Sequence, residues 1–470
     1  MKIVLFDSRA WCLNLQPQMQ TYFDKNSKYN IKSVSVYHND IDFKAYSHHG
    51  KSINLKDYYE VGKKKYSKEN LSELETKYDL LNLWHVIYFD RFLKYKSESE
   101  IIEETSYYIY AWEEILKETK PDFIVTETVT GLWNYILYAI AKHNNIEFLG
   151  FCVTKNTNKY FFTKNIFGTF PEMERKFNEL QYRDLTNEEE VESSEFLKTF
   201  KEKHLVPVYM KFTSSIPKVY NFFNLYRIII NIYKDLKAYK TTFNDYKFDY
   251  RYNGYKRDFF RLIRIYYTKI FKIFKEPIEG EKFILFPLQY QPEASTDILA
   301  AYHVDQYNVI VNLVKSLPID YKLYVKEHYA VLGSKEIEFY KKIKKLPNVR
   351  LINPWIGIND LIKKSSAIAV LTGTTGLEAI FWEKPVIMFG KVFFDIYPGI
   401  YKVNNLNELP DLINKITKEH HVDKTVLKKY VYSYISSGYI GRLHGNNLVE
   451  EEIKIHSDNL YFEINGRKFT

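Results

Sequence analysis

The stretch from residue 367 to residue 390, AIAVLTGTTGLEAIFWEKPVIMFG, constrains the fold most. It reads as strand, tight turn, short helix and strand. Ala367 to Leu371 is a short apolar run of the kind a buried parallel strand requires. Thr372-Gly373-Thr374-Thr375-Gly376 breaks the strand and opens a helix; Lys384-Pro385 stops that helix before the next apolar run, Val386 to Phe389. Gly373 and Gly376 are expected to supply positive φ and close backbone approach. The threonines are expected to cap the helix through their hydroxyls. Open amides and the positive end of the helix would then form an anion site. An ordinary βαβ turn shows the same residues, so this motif by itself leaves both readings open.

The rest of the chain repeats the pattern. A length of 470 residues suits two domains. Ile3 to Phe6 reads as a buried strand followed by Asp7-Ser8-Arg9, and Ile31 to Val36 as a second strand. Residues 56–118 are largely helical. Pro121 to Thr126 is a strand, Glu127 to Gly131 its turn, and Leu132, Tyr135, Ile136, Ala139 and Ile140 share one face of the following helix. Ile146 to Phe151 returns as a strand. Residues 155–200 read as a polar excursion, and Pro277 to Gly280 as a linker. Beyond it, strands at Lys282 to Pro287, Tyr321 to Val325 and Asn348 to Ile352 alternate with helices, which implies a parallel sheet covered on both faces.

Charge is concentrated. From Lys201 to Glu276, 17 Lys and Arg stand against 6 Asp and Glu, a net +11 in a chain of net +9, so the remainder lies near −2. Aromatics interleave with the cations over residues 205–275: Phe222, Phe223, Tyr226 and Arg227, then Phe259, Phe260, Arg261, Arg264, Tyr266, Tyr267, Lys269, Phe271, Lys272, Phe274 and Lys275. Such a segment suits an anionic membrane surface, or helices packed on a neighbouring domain. No nucleic-acid recognition module accompanies it, so nucleic acid is not expected as a partner. The two cysteines, Cys12 and Cys152, are too few for a disulfide framework or a metal site. The first residues carry no signal-peptide pattern, and no apolar run approaches a membrane span. A cytoplasmic protein, peripheral at the inner face of the cytoplasmic membrane, is the expectation.

Three loops of the second half follow strands: Gln289 to Thr296, Lys326 to His328, and Thr372 to Gly376. Loops at the carboxyl ends of parallel strands share one edge of a sheet. That edge would gather hydroxyls, a Lys, a His and carboxylates, which suits a nucleotide. The Walker A pattern is missing, and no metal-ligand spacing is present.

Several of these motifs resemble capsule polysaccharide biosynthesis proteins. They are Phe286 to Thr296 (FPLQYQPEAST), Asp305-Gln306, Tyr324 to His328 (YVKEH), Pro347 to Val349, Thr372 to Ala379 (TGTTGLEA) and Lys384 to Gly390 (KPVIMFG). Those proteins are GT-B glycosyltransferases that include the Kdo transferase-like enzymes. The resemblance spans about residues 282–395. It implies an α/β fold of two Rossmann-like domains facing across a cleft, with a basic aromatic helical insertion. The expected organisation is an acceptor domain over 1–200, the basic segment over 201–276, a donor domain over 277–424, and C-terminal helices over 425–470 packing back across both. Relatives carry His-Pro where this chain has His328-Tyr329, which leaves the nucleotide, CMP or another, open.

The implied function is transfer of a sugar from a nucleotide-sugar donor to a glycan or lipid-linked glycan acceptor of a surface polysaccharide, with no further cofactor and no metal. Glu127 is the candidate base, with Asp7 second. Lys326, His328 and the turn Thr372, Gly373, Thr374, Thr375 and Gly376 would stabilise the leaving phosphate. Glu378 or Glu293 would hold ribose or sugar, and Gln289, Ser295 and Thr296 complete the donor set. The alternatives are a CDP-glycerol-type glycerophosphotransferase, a sugar-nucleotide epimerase of the same fold and a non-catalytic glycan-binding subunit.

Overall fold

The computed structural model describes residues 1–80, 82–90, 93–154, 157–203, 230, 233, 254–291, 293–443 and 448–466. Among these, 1–171 and 438–466 form one compact unit, and the intervening residues form a second. The strands are β1 (Lys2–Ser8), β2 (Ile31–Tyr37), β3 (Ser52–Asn54), β4 (Phe123–Glu127), β5 (Glu147–Val153), β6 (Lys159–Thr163), β7 (Lys282–Pro287), β8 (Tyr321–Lys326), β9 (Val349–Ile352), β10 (Ala367–Val370), β11 (Val386–Met388), β12 (Ile400–Lys402) and β13 (Tyr439–Ile440).

The first sheet has the order β13-β6-β5-β4-β1-β2-β3. Strands β3 to β5 across it run parallel, and β6 and β13 close one end antiparallel. Strand order reverses at β1, with β2 on one side and β4 on the other. Apolar runs make these strands: Val4, Leu5 and Phe6 of β1 and all five residues of β4 are buried, as strands covered on both faces must be. The helix Leu132–His143 buries Leu132, Tyr135, Ile136, Ala139 and Ile140, the expected stripe. The helix Glu98–Thr119 starts at a reciprocal Ser97/Glu100 capping box. The C-terminal helix Glu450–Ile464 belongs to this unit. Its Tyr461 ring lies 5.2 Å from Tyr29, whose hydroxyl donates to Asp458.

The second sheet, β12-β11-β10-β7-β8-β9, is parallel throughout. Its order reverses at β7, which sits between β8 and β10. Ile284, Phe286, Leu323, Val325, Ala367, Ala369 and Ile387 from the strands pack in one core with Ile310, Leu313, Tyr340, Ile343, Ile413 and Ile416 from covering helices. Phe381 meets Phe200 and Tyr434 at 5.0 and 5.8 Å, which fastens helices Asn187–Lys203 and Lys424–Ser436 to this unit. The stretch read as a polar excursion thus contains β6 and the helices Pro171–Leu180 and Asn187–Lys203. Each unit has a Rossmann-like α/β organisation.

Much of the basic aromatic segment, residues 204–229 and 234–253 with Phe222, Phe223, Tyr226 and Arg227, lies outside the described residues. The helix Gly254–Ile270 follows it. Leu262 and Ile265 are buried, Arg261 Nε donates to the Leu332 carbonyl at 2.8 Å, and Arg264 Nη1 donates to that of Ser334 at 3.1 Å. Phe260, Ile263, Ile270 and Phe271 face solvent. Among the described residues no helix is long and apolar enough to cross a membrane.

That helix makes Gly333 irreplaceable. Gly333 has φ +80°, and a Cβ there would stand 2.6 Å from the Arg261 carbonyl oxygen. Gly280, at φ +77°, faces open space. Gly280→Ala should therefore carry only the left-handed penalty, ~1–2 kcal/mol. Gly333→Ala should add ~1–3 kcal/mol of overpacking against backbone that cannot step aside. Urea denaturation with equal losses for the two variants would contradict the packing argument.

Candidate functional site

Strands β8, β7 and β10 are neighbours, so the loops after them leave from one edge of the second sheet. Neighbouring strands are spaced about 4.8 Å, which sets the ends of β8 and β10 about 10 Å apart. The amide of Leu288 donates to the Lys326 carbonyl at 2.9 Å, tying the first two loops together. Gln289 braces them: its amide donates to Gln306 Oε1 at 2.7 Å and its side chain to the Pro287 carbonyl at 3.0 Å. The side-chain amide of Gln289 lies against Gly373, where a Cβ would meet Oε1 at 2.6 Å. The loops of β7 and β10 are therefore in contact.

Lys326 ends β8 and is buried, with 6% exposure. Its Nζ donates to the carbonyls of Pro354 and Glu327 at 3.0 and 3.4 Å. Burial pulls its pKa down to about 8, against the opposing charge of Glu327. Burial, followed by the charges of Lys326 and Lys335, lowers His328 to about 4, so the imidazole is neutral at pH 7. Glu327, fully buried, accepts from the Tyr340 hydroxyl at 2.6 Å and the His328 amide at 2.8 Å, with Lys335 Nζ 3.8 Å away. Lys335 also donates to the Gln289 carbonyl at 3.4 Å. The sequence reading passed over Glu327 and Lys335; the signal was a carboxylate between two chosen residues and a lysine just past a glycine turn.

The turn after β10 differs from expectation in two respects. Neither Gly373 nor Gly376 lies in the left-handed region; a Cβ at 373 would displace the Gln289 side chain, and one at 376 would crowd Val370 and Phe394 at 3.1 and 3.3 Å. The threonines do not cap the helix Thr375–Phe381 with their side chains: Thr374 occupies the N-cap in αR geometry without a side-chain hydrogen bond. The buried hydroxyls of Thr372 and Thr296 instead have no hydrogen-bond partner among the described residues. Glu378, on the same short helix, is buried, and its carboxyl finds no partner there either. Burial raises its pKa to about 8. Ser295 is half-buried beside Thr296, while Glu293 is exposed and contributes only its carbonyl, which accepts from the amides of Thr296 and Asp297.

The first unit has its own polar edge where its strand order reverses. Register pairs Phe6 with Val125, which sets Asp7 beside Thr126. Asp7 is buried; Oδ1 lies 2.6 Å from His38 Nε2, and Oδ2 accepts from the Thr126 hydroxyl at 2.8 Å. Glu127 accepts from the Thr130 hydroxyl at 2.9 Å. Burial, then the charges of Glu127 and Asp7, push the Cys12 thiol well up. His38 was missed in the sequence, although it directly follows β2. Its side chain is 10% exposed and its rings of contact are Trp112 and Trp133. Among the described residues Nδ1 has no hydrogen-bond partner, and no group of three or more His, Cys, Asp and Glu is placed to hold a metal ion.

Residues 235–433 match the family model described as capsule polysaccharide biosynthesis protein. Over that span the chain is similar to capsule polysaccharide biosynthesis proteins. The match contains the whole second sheet and the edge that carries Gln289, Lys326 and Thr372, and none of the first unit's polar edge. No curated protein matches the chain. Among solved structures, this chain is similar to the Thermosulfurimonas dismutans KpsC beta Kdo 2,7 transferase, at 10% identity, 99% of this chain, 100% of that chain and a TM-score of 0.40. It is similar to the S. aureus MnaA–UDP co-structure at 13% identity, 100% and 99% coverage and a TM-score of 0.28. The Methanocaldococcus jannaschii UDP-GlcNAc 2-epimerase in complex with UDP-GlcNAc and UDP gives 14%, 93% and 98%, and 0.31. These scores are low, and the fold assignment stands on the strand order itself.

Glu378 gives a pH test. Its folded pKa lies above that of an exposed glutamate, so the folded state holds the proton more tightly. Its contribution to stability is present in full below pH ~4.3, the ordinary glutamate value, and is lost as pH rises through about 8. The melting temperature of the ligand-free protein should fall across this window, and Glu378→Gln should flatten the fall. An unchanged slope in the variant would place the carboxyl in a more polar environment than the structure gives it.

Proposed function

We propose that this chain is a GT-B glycosyltransferase that moves a sugar from a nucleotide-sugar donor onto a growing capsule or other surface polysaccharide. The observation that carries the reading is the pair of buried groups on one edge of the second sheet: Lys326, bonded only to backbone carbonyls, and Glu378, with no partner among the described residues. A buried cation and a buried carboxyl left in this state are costly. A nucleotide-sugar answers both, with phosphate for Lys326 and ribose or sugar hydroxyls for Glu378. Thr296 and Thr372 offer two further unsatisfied hydroxyls to the same ligand.

The first unit receives the acceptor. Asp7 has both oxygens engaged, so it positions His38, and the free Nδ1 of His38 takes the proton of the attacking hydroxyl. The acceptor oxygen bonds to the anomeric carbon, the bond from that carbon to the phosphate oxygen breaks, and Lys326 stabilises the charge left on the nucleotide. Peripheral attachment to an anionic membrane belongs to the same proposal. It is supported by the solvent-facing Phe260, Ile263, Ile270 and Phe271, set among Lys269 and Lys272.

Purified protein screened against nucleotide-sugars should release nucleotide only when a glycan acceptor is present. Donor sugar isomerised without acceptor would make it an epimerase, and binding without turnover a glycan-binding subunit. Lys326→Ala should weaken donor binding about tenfold or more. His38→Ala should lower turnover ~10²–10⁴-fold, with Glu127→Gln within a few-fold of wild type. The reverse order would move the base to Glu127. Co-sedimentation with liposomes should rise with anionic lipid and fall with salt; indifference to both would remove the membrane contact.

A further inference from the structure

We infer that the first unit carries an anion subsite built from Arg9 and Trp133, and that the acceptor bound there bears a carboxylate or phosphate group. The inference rests on the reading of this unit as the acceptor site. Arg9 leaves the end of β1 half-buried, with its guanidinium carbon 3.8 Å from the centroid of the Trp133 ring. Among the described residues no carboxylate pairs with it. The closest acid in sequence, Asp7, is held by His38 and Thr126, and Glu127 accepts from Thr130.

The stack determines what Arg9 can do. Cation–π contact uses the flat face of the guanidinium, and its N–H donors lie in the plane and point outward. Two parallel donors of this kind match the two oxygens of a carboxylate or phosphate. Trp133 is a buried platform for this stack. Its side chain is 4% exposed, and its indole N–H is buried with no hydrogen-bond partner among the described residues. The ring is held in place: its residue's carbonyl accepts from the Trp112 indole at 3.0 Å, and its six-membered ring occupies the space that a Cβ on residue 131 would need.

Arg9, held flat on this aromatic platform, lacks an anionic partner among the described residues. His38 adjoins them, with its ring centroid 6.4 Å from that of Trp133. An anionic group on Arg9 would therefore present the neighbouring hydroxyls of the same sugar to the Asp7–His38 pair. Uronic or other acidic sugars and phosphorylated sugars share this chemistry; neutral hexoses do not.

Calorimetry at constant ionic strength tests the subsite with sodium glucuronate, inorganic phosphate and glucose. It is done in a Lys326→Ala background, so that the second unit does not contribute phosphate binding. The expected result is measurable binding of glucuronate, phosphate or both, and binding of glucose at least about tenfold weaker. Arg9→Gln should lose about tenfold or more of the anion affinity, as removal of charge-assisted hydrogen bonds requires. Arg9→Lys keeps the charge without the flat fork, should lose part of that affinity, and stands in if the Gln variant does not fold. Glucuronate alone would identify an acidic sugar, and phosphate alone a phosphorylated one. Glucose bound as well as glucuronate, no anion bound at all, or anion affinity untouched in both Arg9 variants would overturn the inference. Nucleotide-sugar turnover is read separately: anion binding through Arg9 without any nucleotide release would sink the transferase reading and leave the subsite standing.

Discussion

Parallel pairing of β7 with both β8 and β10 is the interaction on which the second unit depends. Parallel neighbours need crossovers, and crossovers of one hand return every strand in the same direction. Every strand therefore ends on one edge. Lys326, Gln289 and Thr372 are far apart in sequence and meet there because their strands are adjacent in the sheet. The first sheet repeats the device with β1 between β2 and β4, and so assembles His38, Asp7 and Glu127.

The two edges differ in kind from the structural ion pairs of the same protein. Glu281 and Arg350 hold each other through two hydrogen bonds of 2.9 and 3.0 Å, and the Tyr324 hydroxyl completes the carboxylate. Nothing there awaits a ligand. Lys326, Glu378, Thr296 and Thr372 are buried as deeply or more so, yet their partners are backbone carbonyls or lacking among the described residues. A fold tolerates such groups where a ligand completes them, since each unsatisfied buried polar group costs ~1–3 kcal/mol. Burial also holds His328 neutral beside Lys326, so the imidazole adds no charge to the lysines of that edge.

In the first unit the same logic separates roles among acids. Asp7 spends both oxygens on His38 and Thr126, which makes it the partner that orients an imidazole. The aromatic residues around the pair, Trp112 and Trp133, restrict water and give Arg9 a surface to lie on. Lowered water access strengthens each of these interactions.

The sequence by itself determined the local periods. Short runs, continuous and apolar in β1, β7 and β10 and interrupted by Lys, Ser or Arg in β2, β8 and β9, marked these strands and also β4, β5 and β11; the continuous ones are what a strand buried on both faces requires. It also determined that Lys326, His328, Thr372 and Glu378 lie at strand ends or just beyond them. Only the tertiary structure decided what depends on partners. Two- and three-residue strands such as β3, β12 and β13 carry too little pattern and exist through their neighbours. Helices Lys424–Ser436 and Glu450–Ile464, continuous in sequence character, separate into different units because one meets Phe381 and the other Tyr29. Gly373 looked like a residue chosen for its φ and is one chosen for the room it leaves Gln289. His38 met Asp7 only when β2 was laid beside β1, since a hydrogen bond across 31 residues is set by strand register, which no local pattern encodes.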